Sequence, residues 1–433
     1  MQRLLAAVCF VLFAWSAFGQ NASNFTPKER IQRIRQLGKT NAQAIPALEQ
    51  SLPDPDRDVR VETVKAIVKI GTEASLKPLI KATADKDDEV EIRATDGLVN
   101  FYLPGYVLRG GLTGPFTRGV RQVKTFFSSR NDQVIPAGVT VKPEVADALG
   151  NVIEHGADID ARANAARAAG ILRARTTVPA LLDGVRSKDS ELIFESLVAL
   201  QKIKDKSAGP RISFLANDLD PRVQLTALET IGMLHSVESA PEVRTALASA
   251  PDDKIRRQAL ETLTALGQPA DQAVFKRYLS SSDPKQRVTA LEGLGRLRDS
   301  RDYPTFERVY NEKNAGSAVH LAAAFAMVNE GNVAISVFSP LQYLLNNLNN
   351  QDLNGTAQGY LTELCKREDV RKAVLPLLPS ATKDQKVRLC RALGASGSDD
   401  VIPALTKLSH DIDPEVSYAA SKALQTARNP QGN

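Results

Sequence analysis

Apolar residues recur at helical spacing along most of the chain, and acidic turns separate one apolar segment from the next. Within each segment the apolar positions fall three or four residues apart, which places them on one face of an α-helix. Three successive segments carry this pattern at Val223, Ala227, Leu228, Ile231 and Leu234, then at Ile255, Ala259, Leu260, Leu263 and Leu266, and then at Val288, Leu291, Leu294 and Leu297. The pattern predicts a series of amphipathic helices.

The predicted helices begin at turns in which aspartate precedes proline. Clear cases are Asp220-Pro221, Asp283-Pro284 and Asp413-Pro414. Aspartate accepts hydrogen bonds from the first free N–H groups of a helix, and proline is tolerated at the first helical position because an N–H there has no intrahelical partner. Gly232, Gly267 and Gly295 fall late in these helices, where a small residue permits a turn or the close approach of a neighbouring helix.

A short sequence motif, an apolar residue followed by Pro-Ala-Leu, begins the second helix of a unit. It occurs at residues 45–48, 178–181 and 402–405, and Pro179, Pro210 and Pro241 follow one another at steps of 31 residues. A fixed period of this length indicates a solenoid, in which each unit buries its apolar face against its neighbours. We therefore expect an all-α fold: a right-handed α-solenoid of about a dozen two-helix repeats with one non-repeat insert.

These segments resemble HEAT repeats, and most closely the short bacterial HEAT-like repeats named after phycobilisome lyases. The shared pattern is an acidic turn with proline, then Val-Arg-x-x-Ala-x-x-Ala-Leu-x-x-Leu-Gly, matched approximately from about Thr26 to Ala427. The resemblance is specific for the fold and weak for function. It implies that basic residues at or beside the second position tie adjacent repeats together through acidic partners; these are Arg60, Arg93, Arg256 and Arg287.

The repeat pattern stops between residues 101 and 143. This segment is rich in glycine and proline and holds many of the chain's few aromatic residues. Six basic residues and one acidic residue, Asp132, give it a formal charge of +5, equal to the charge of the whole chain. Long stretches of this kind are usually functional or disordered, and the aromatic residues argue against disorder.

The sequence divides into four parts. These are a signal peptide at 1–19, which is described below, repeats at 20–100, an insert at 101–143 and a main repeat array at 144–433.

The insert contains the pattern of a short basic amphipathic helix. Such a helix can lie on an anionic membrane surface or in a partner's groove. Its apolar face, formed by Phe116, Val120, Val123 and Phe127, can equally pack onto the solenoid. Arginine and aromatic residues dominate the energetics of many interfaces. The candidate partner-binding residues are therefore Arg109, Arg118, Arg121, Lys124 and Arg130 for charge contacts, and Tyr102, Tyr106, Phe116 and Phe127 for apolar anchoring.

The first residues have the composition of a secretory signal peptide. Arg3 supplies the positive charge, residues 4–13 form an apolar core, and Ala17-Phe18-Gly19 resembles a small-x-small cleavage site. A membrane anchor is the alternative, although the apolar run is short for a span. We expect a periplasmic or secreted protein that is cleaved after Gly19.

Two cysteines remain after cleavage, Cys365 and Cys390. An oxidising compartment permits a disulfide between them. Their positions within the repeat differ by six residues, however, which separates them by roughly 9 Å along a helix. The repeat spacing therefore favours two buried free thiols.

The sequence contains no recognisable catalytic or metal-binding motif. The four histidines, His155, His235, His320 and His410, are far apart, and no His-x-x-x-His, His-Glu or Cys-x-x-Cys arrangement occurs. The nucleophile-elbow and phosphate-loop motifs are also missing. Paired aspartates fall at the acidic turns, where helix capping explains them. We therefore expect no catalytic residues, no metal and no cofactor.

Together these features predict an exported, non-enzymatic scaffold that binds a protein partner through the solenoid surface and the insert. One alternative is a peripheral module that binds an anionic membrane surface through the same insert. Another is an enzyme or enzyme subunit whose site has no sequence motif; a bilin-lyase activity would rest on the repeat name alone. Nucleic acid is not an expected partner, because the repeats are near neutral. No small-molecule substrate is indicated.

Overall fold

The structure is a computed structural model that describes residues 25–109, 133–136 and 138–428. The regular elements in these ranges are all helices, and the predicted all-α solenoid is confirmed. None of the described helices combines the length and the apolar character needed to cross a membrane. By its internal contacts the chain forms two compact units, Met1–Leu234 and His235–Asn433, and each is described by itself below.

Long and short helices alternate along the chain, so that one pair makes one repeat. The first unit contains α1 (Pro27–Leu37), α2 (Ile45–Glu49), α3 (Arg57–Ile70), α4 (Leu76–Ala82), α5 (Asp88–Tyr102), α6 (Tyr106–Arg109), α7 (Pro143–His155), α8 (Ile159–Ile171), α9 (Val178–Gly184), α10 (Ser190–Ile203) and α11 (Pro221–Leu234). The second unit contains α12 (Ala240–Ser249), α13 (Asp253–Leu266), α14 (Gln272–Tyr278), α15 (Pro284–Leu297), α16 (Tyr303–Tyr310), α17 (Ser317–Asn329), α18 (Pro340–Asn346), α19 (Asn354–Leu364), α20 (Glu368–Val374), α21 (Lys383–Gly394), α22 (Ile402–Leu408) and α23 (Pro414–Arg428).

Short 3-10 helices lead into most of the short α-helices or extend them. They span Ala42–Ala44, Glu73–Ser75, Arg175–Thr177, Val237–Ser239, Pro269–Asp271, Ser300–Asp302, Asn347–Asn349, Leu375–Ser380 and Asp399–Val401. Lys206–Asn217 is a longer 3-10 segment with Pro210 inside it, and it takes the place of a short α-helix in its repeat. Proline removes a backbone donor and so disfavours a regular α-helix at this point.

Acidic N-caps start the long helices, as the sequence predicted. The Asp56 carboxylate accepts hydrogen bonds from the N–H groups of Asp58 and Val59 at 3.0 and 3.2 Å. Asp220 caps α11 in the same way, by accepting from the Arg222 N–H at 2.8 Å. These bonds satisfy N–H groups that have no partner within the helix, and each such cap stabilises its helix by roughly 1 kcal/mol.

Each unit consists of two rows of helices. Long helices of successive repeats pack side by side, in the order α1, α3, α5, α8, α10 and α11 in the first unit and α13, α15, α17, α19, α21 and α23 in the second. Short helices form the other row, in which α7 packs against both α4 and α9. Leu98, Leu149 and Leu181 are among the fully buried core side chains of the first unit. Stacking of neighbouring repeats therefore builds the core, as in other solenoids.

Late glycines allow the long helices to approach one another closely. A Cβ atom at Gly170 of α8 would lie 2.7 Å from the Ala199 Cα of α10, and a Cβ at Gly295 would lie 2.8 Å from the Ala326 Cα. Gly267 acts differently, since its φ of 60° ends α13 in the left-handed conformation. Both predicted roles of a late glycine, close approach and turn, therefore occur.

Arginine–carboxylate pairs join adjacent repeats at two of the four predicted positions. Arg60 donates through Nε and Nη2 to Asp85 at 2.8 and 3.0 Å, and Arg287 donates through Nη2 to Glu312 at 2.9 Å. Both carboxylates lie in the turn before the next long helix. Arg93 and Arg256 pair with carboxylates of their own helices, Glu89 and Asp253.

Cys365 and Cys390 are buried and unpaired, as the repeat spacing predicted. Burial raises the pKa of the Cys365 thiol to about 12 and that of the Cys390 thiol to about 11. Both groups therefore stay protonated at neutral pH, and they pack as small apolar side chains.

Candidate partner-binding surface

The insert lies inside one repeat, between the long helix α5 and the 13-residue helix α7, which lies in the row of short helices. Helix α5 ends at Tyr102, α7 begins at Pro143, and the four-residue helix α6 follows α5 directly. Of the predicted partner-binding residues, the structure describes Tyr102, Tyr106 and the backbone of Arg109. The remainder fall outside the described residues: Phe116, Arg118, Arg121, Lys124, Phe127 and Arg130.

Tyr102 and Lys142 hold the two ends of the insert together. The Lys142 N–H donates to the Tyr102 hydroxyl oxygen at 3.0 Å, and the Lys142 ammonium donates to Glu73 at 2.6 Å. The Phe101 ring packs edge-on against the Tyr102 ring, with centroids 5.0 Å apart. Tyr102 is half-buried and therefore has a structural contact in addition to its predicted binding role.

Tyr106 does not fit its predicted role as an exposed anchor. Its side chain is 1% exposed and is one of the largest fully buried side chains in the described chain. The physical reason is the fold of the helix that carries it, because α6 packs back against α5. Tyr106 therefore belongs to the core of the first unit and offers no surface to a partner.

A buried polar network links α5, α8 and α10. Arg167 donates through Nε and Nη2 to Glu195 at 3.1 and 2.9 Å, and through Nη1 to Asn164 at 3.3 Å. Asn164 in turn donates to Asp96 at 3.2 Å. Glu195 is fully buried, and breaking a buried pair leaves an uncompensated charge that costs about 3–5 kcal/mol. The network therefore fixes the relative positions of three long helices on both sides of the insertion point.

The far end of the insert returns to the repeats at the C-terminal end of α8. Ile135 is buried there, and its N–H donates to the Ile171 carbonyl oxygen at 3.0 Å. The neighbouring residue, Val134, lines a groove of about 420 Å³ that extends along α10 and α11. The return of the insert and the groove therefore lie next to each other on the first unit.

This groove combines apolar and basic side chains. We call it the basic groove and define it by Arg173, Phe194, Val198, Lys202, Lys204 and Met233. Its lining also includes Glu229, so that three cations accompany one carboxylate among the described lining residues. Gln201 lies in the lining too and donates to the Thr230 hydroxyl oxygen at 2.9 Å. A ligand with negative charge and an apolar side chain would match this composition.

Two cations of the basic groove occupy a left-handed backbone conformation. Arg173 and Lys204 have φ angles of 49° and 59°, and each follows the end of a long helix. Gly71 and Gly267 hold the equivalent positions after α3 and α13, with φ angles of 59° and 60°. A side chain in this conformation costs roughly 1 kcal/mol more than glycine, and a cation at a helix C-terminus recovers part of that cost. These helix ends therefore carry cations where the backbone favours glycine.

The basic groove was not among the sites predicted from the sequence. Its residues come from three repeats and from the end of the insert, and none belongs to a known motif. One signal was present, because an alignment of the repeats places Arg173 and Lys204 where other long helices end in glycine. Because α11 and α15 also end in non-glycine residues, His235 and Arg298, this signal by itself does not single out the groove.

A more open depression in the second unit has a volume of about 490 Å³ but is a weaker candidate. Four of its five lining side chains are paired with one another, since Arg367 contacts Asp369 and Lys372 contacts Glu368, each at 2.5 Å, and Arg298 is the fifth. An incoming charged ligand would have to compete with these pairs.

The histidines form no cluster in the described part of the chain. No group of three or more His, Cys, Asp or Glu side chains in the described ranges is arranged to hold a metal ion. The His320 and His410 rings contact the backbone carbonyl oxygens of Glu312 and Thr406 at 2.7 and 3.0 Å. His235 directly follows α11 with a φ of 54° and so closes that helix.

The repeat pattern agrees with a known family of helical repeats. The sequence model that describes HEAT repeats matches residues 17–98, 209–280 and 244–328. Within these ranges the chain consists of HEAT repeats. The matched ranges include long helices of both units, among them α3, α5, α13 and α15. No curated protein matches the sequence of this chain.

Several solved structures are similar to it at low sequence identity. The complex of CpcE and CpcF of phycocyanin lyase from Nostoc sp. PCC7120 matches with a TM-score of 0.32 and 18% identity, over 62% of this chain and 92% of that one. An engineered protein matches with a TM-score of 0.33 and 16% identity, over 90% and 99%. Kap121p bound to Nup53p matches with a TM-score of 0.44 and 11% identity, over 96% of this chain but 57% of that one.

Proposed function

We propose that this HEAT-repeat protein is an exported, non-enzymatic scaffold that binds a protein partner through its solenoid surface and the insert at 101–143. Stacked helical repeats present long continuous surfaces, and such surfaces typically bind other macromolecules. One observation carries the proposal: the insert is added to an intact repeat. Helices α5 and α7 keep their places in the two rows although residues 103–142 separate them.

The anchoring of the insert supports a role beyond packing. Tyr102 and Lys142 close its base, and Ile135 fixes its return to α8. The described contacts that join the insert to the repeats are made by its two ends. The residues between Tyr102 and Ile135 carry a formal charge of +4, which suits them to contact an acidic surface.

Export is part of the proposal and rests on the composition of residues 1–19. A positive start, a short apolar core and a small-x-small site are the features that signal peptidases and translocases recognise. We expect the envelope or secreted fraction to contain a chain that begins at Gln20, as measured by intact mass.

The test is an affinity pull-down from native envelope extract with the chain that begins at Gln20. The comparison variant carries alanine at the five predicted cations of the insert, Arg109, Arg118, Arg121, Lys124 and Arg130. We expect one partner protein to be enriched by the unmodified chain and lost with the variant, because its acidic surface loses its counter-charges. A matched control replaces five exposed cations of the second unit with alanine, namely Lys254, Lys285, Arg308, Lys372 and Lys407, and should keep the partner.

Recovery of the same partner by both forms would contradict a role of the insert. Binding to vesicles with anionic lipids, weakened by salt and by the same five substitutions, would instead support the peripheral membrane module, which the positive charge of the insert also favours. A tightly bound metal or cofactor in the purified protein would contradict the non-enzymatic role.

A further inference from the structure

The basic groove presents apolar surface that the described part of the first unit does not cover. The Met233 side chain is 53% exposed, and Phe194 in the same lining is half-buried. The Phe194 ring is held in place, because the Arg222 guanidinium lies 3.5 Å from its centroid and pairs with Glu191 at 2.6 Å. A fixed aromatic ring beside an exposed methionine forms a site for a large apolar side chain.

The excess of cations at the basic groove favours a negatively charged ligand. Arg173 and Lys204 are exposed, and neither forms an ion pair with any described residue. With Lys202 they outnumber Glu229, the carboxylate among the described lining residues. Exposed cations around an apolar surface attract a ligand that carries carboxylates, both during encounter and in the bound state.

Arg173 and Lys204 share a left-handed backbone conformation, and both line the groove. Glycine would fit the left-handed conformation at Arg173 and Lys204 without strain, as Gly71 and Gly267 do after other long helices. His235 and Arg298 hold the same conformation after α11 and α15, so what distinguishes Arg173 and Lys204 is their shared position in one groove and not the conformation by itself. The strain at Arg173 and Lys204 falls at a groove that combines cations with exposed apolar surface.

We propose that the basic groove binds an extended acidic peptide segment of the partner protein. A large apolar side chain of that segment contacts Phe194, Val198 and Met233, and its flanking carboxylates contact Arg173 and Lys204. The volume of about 420 Å³ lies at the lower end of the range for ligand pockets, which suits a few side chains of a peptide. This inference rests on the proposed scaffold function and identifies the chemistry of the partner.

Two other candidate occupants of the groove, the insert and a lipid surface, match its residues less well. The insert returns beside this groove at Val134, but its charge of +5 would be repelled by the cations of the groove. A lipid surface would contact the exposed rim, yet Val198, which is 8% exposed, lies too deep for headgroups. A peptide segment with acidic and apolar side chains matches both the exposed cations and the apolar residues of the groove.

Synthetic peptides test the proposal with the full mature chain. The probe is a fluorescent peptide in which aspartate and glutamate alternate with leucine and phenylalanine, and its control replaces every acid with the corresponding amide. We expect the acidic peptide to bind, the amide peptide to bind at least about tenfold more weakly, and added salt to weaken the acidic peptide.

The decisive variant is Arg173→Gly combined with Lys204→Gly. Both substitutions remove a cation and relieve the backbone, so we expect the midpoint of thermal unfolding to stay or rise while the affinity for the acidic peptide falls about tenfold. Loss of binding in a stabilised protein cannot be attributed to unfolding. Arg298→Gly, at the equivalent helix end of the second unit with a φ of 55°, is the matched control and should bind as the unmodified chain does.

A second substitution tests the apolar contact. Met233→Gln keeps the size of an exposed side chain and should weaken the acidic peptide several-fold without changing the unfolding midpoint. Equal affinity of the double glycine variant and the unmodified chain would overturn the proposal, as would equal binding of both peptides or binding of anionic vesicles in place of peptide.

The outcome also separates this inference from the proposed function. A partner recovered equally by the unmodified chain and by the double glycine variant leaves the scaffold intact and rejects the groove as its site. Failure to recover any protein partner, with no peptide binding, rejects both.

Discussion

Glu91 is a buried carboxylate near the start of α5 and has an unusual environment for an ionisable side chain. It is 4% exposed, and its carboxylate accepts a hydrogen bond from the Ala157 N–H at 2.7 Å. Burial raises its pKa to about 7, with a further increase from the nearby Asp158 carboxylate, and the Ala157 hydrogen bond offsets only part of this rise. Glu91 therefore changes its charge close to neutral pH.

We predict that Glu91 makes the first unit more stable at mildly acidic pH. Because the folded-state pKa of Glu91 is raised, folding is favoured when the carboxyl is protonated, and this contribution is lost as the pH rises through about 7. The free energy of unfolding should be about 2 kcal/mol greater at pH 5 than at about pH 7.5 from this group alone. Denaturant unfolding at both pH values measures the difference.

Glu91→Gln is the matched control, because the amide oxygen can still accept from the Ala157 N–H. Its free energy of unfolding should lack this part of the pH dependence and should exceed that of the unmodified chain at about pH 7.5. The same pH dependence in both proteins would show that Glu91 is ionised in the folded state.

At the residue scale, the sequence predicted the helix caps and the buried helix faces but not the burial of Tyr106. The Asp56 and Asp220 caps follow from neighbouring residues alone, because donor and acceptor lie within three positions of each other. Tyr106 was misjudged because its burial depends on how α6 packs against α5. Arg93 and Arg256 occupy predicted positions, yet the choice between an acidic partner in the same helix and one in the next repeat depends on three-dimensional distances.

At the scale of elements, the spacing between long helices depends on small residues at the contact. Gly170 of α8 lies against Ala199 of α10, where a Cβ atom would approach the Ala199 Cα to 2.7 Å. A Cβ atom at Gly150 of α7 would meet no heavy atom beyond its own helix within 4 Å. Two helical glycines in the same unit therefore differ in the space around them.

We predict opposite effects of alanine at these two positions. Gly170→Ala should lower the free energy of unfolding by about 1–3 kcal/mol, because α8 and α10 must move apart around the added methyl group. Gly150→Ala should leave the stability unchanged or raise it by up to about 1 kcal/mol, because alanine restricts the unfolded chain and favours the helix. Denaturant unfolding of the two variants checks this, and equal effects would mean that packing between α8 and α10 does not limit their distance.

At the scale of the whole molecule, the insert is the main departure from the repeat pattern. Its anchors, Tyr102, Tyr106, Ile135 and Lys142, all contact the repeats, while α5 and α7 remain in the two rows. We therefore expect the anchors to contribute to folding and the segment between them to contribute to the proposed binding.

We predict that residues 110–132 can be replaced by a Gly-Ser linker of equal length with little loss of stability. The helical signal in circular dichroism should be nearly unchanged, and the midpoint of thermal unfolding should shift by no more than a few degrees, because every anchor is retained. Deletion of 103–142 is the contrasting variant; it removes the buried side chains of Tyr106 and Ile135 and should lower the midpoint clearly. Unfolding of the linker variant would show that the insert itself supports the repeats.

The all-α class, the repeat order, the acidic caps and the position of the insert could all be predicted from the amino-acid sequence. These features depend on residues within one helix or one period, so that periodicity and capping chemistry are sufficient to predict them. The burial of Tyr106, the Arg167–Glu195 network and the composition of the basic groove became evident only in the folded chain. Each of these joins side chains from separate helices, and the packing distances between helices, which no local pattern encodes, bring them together.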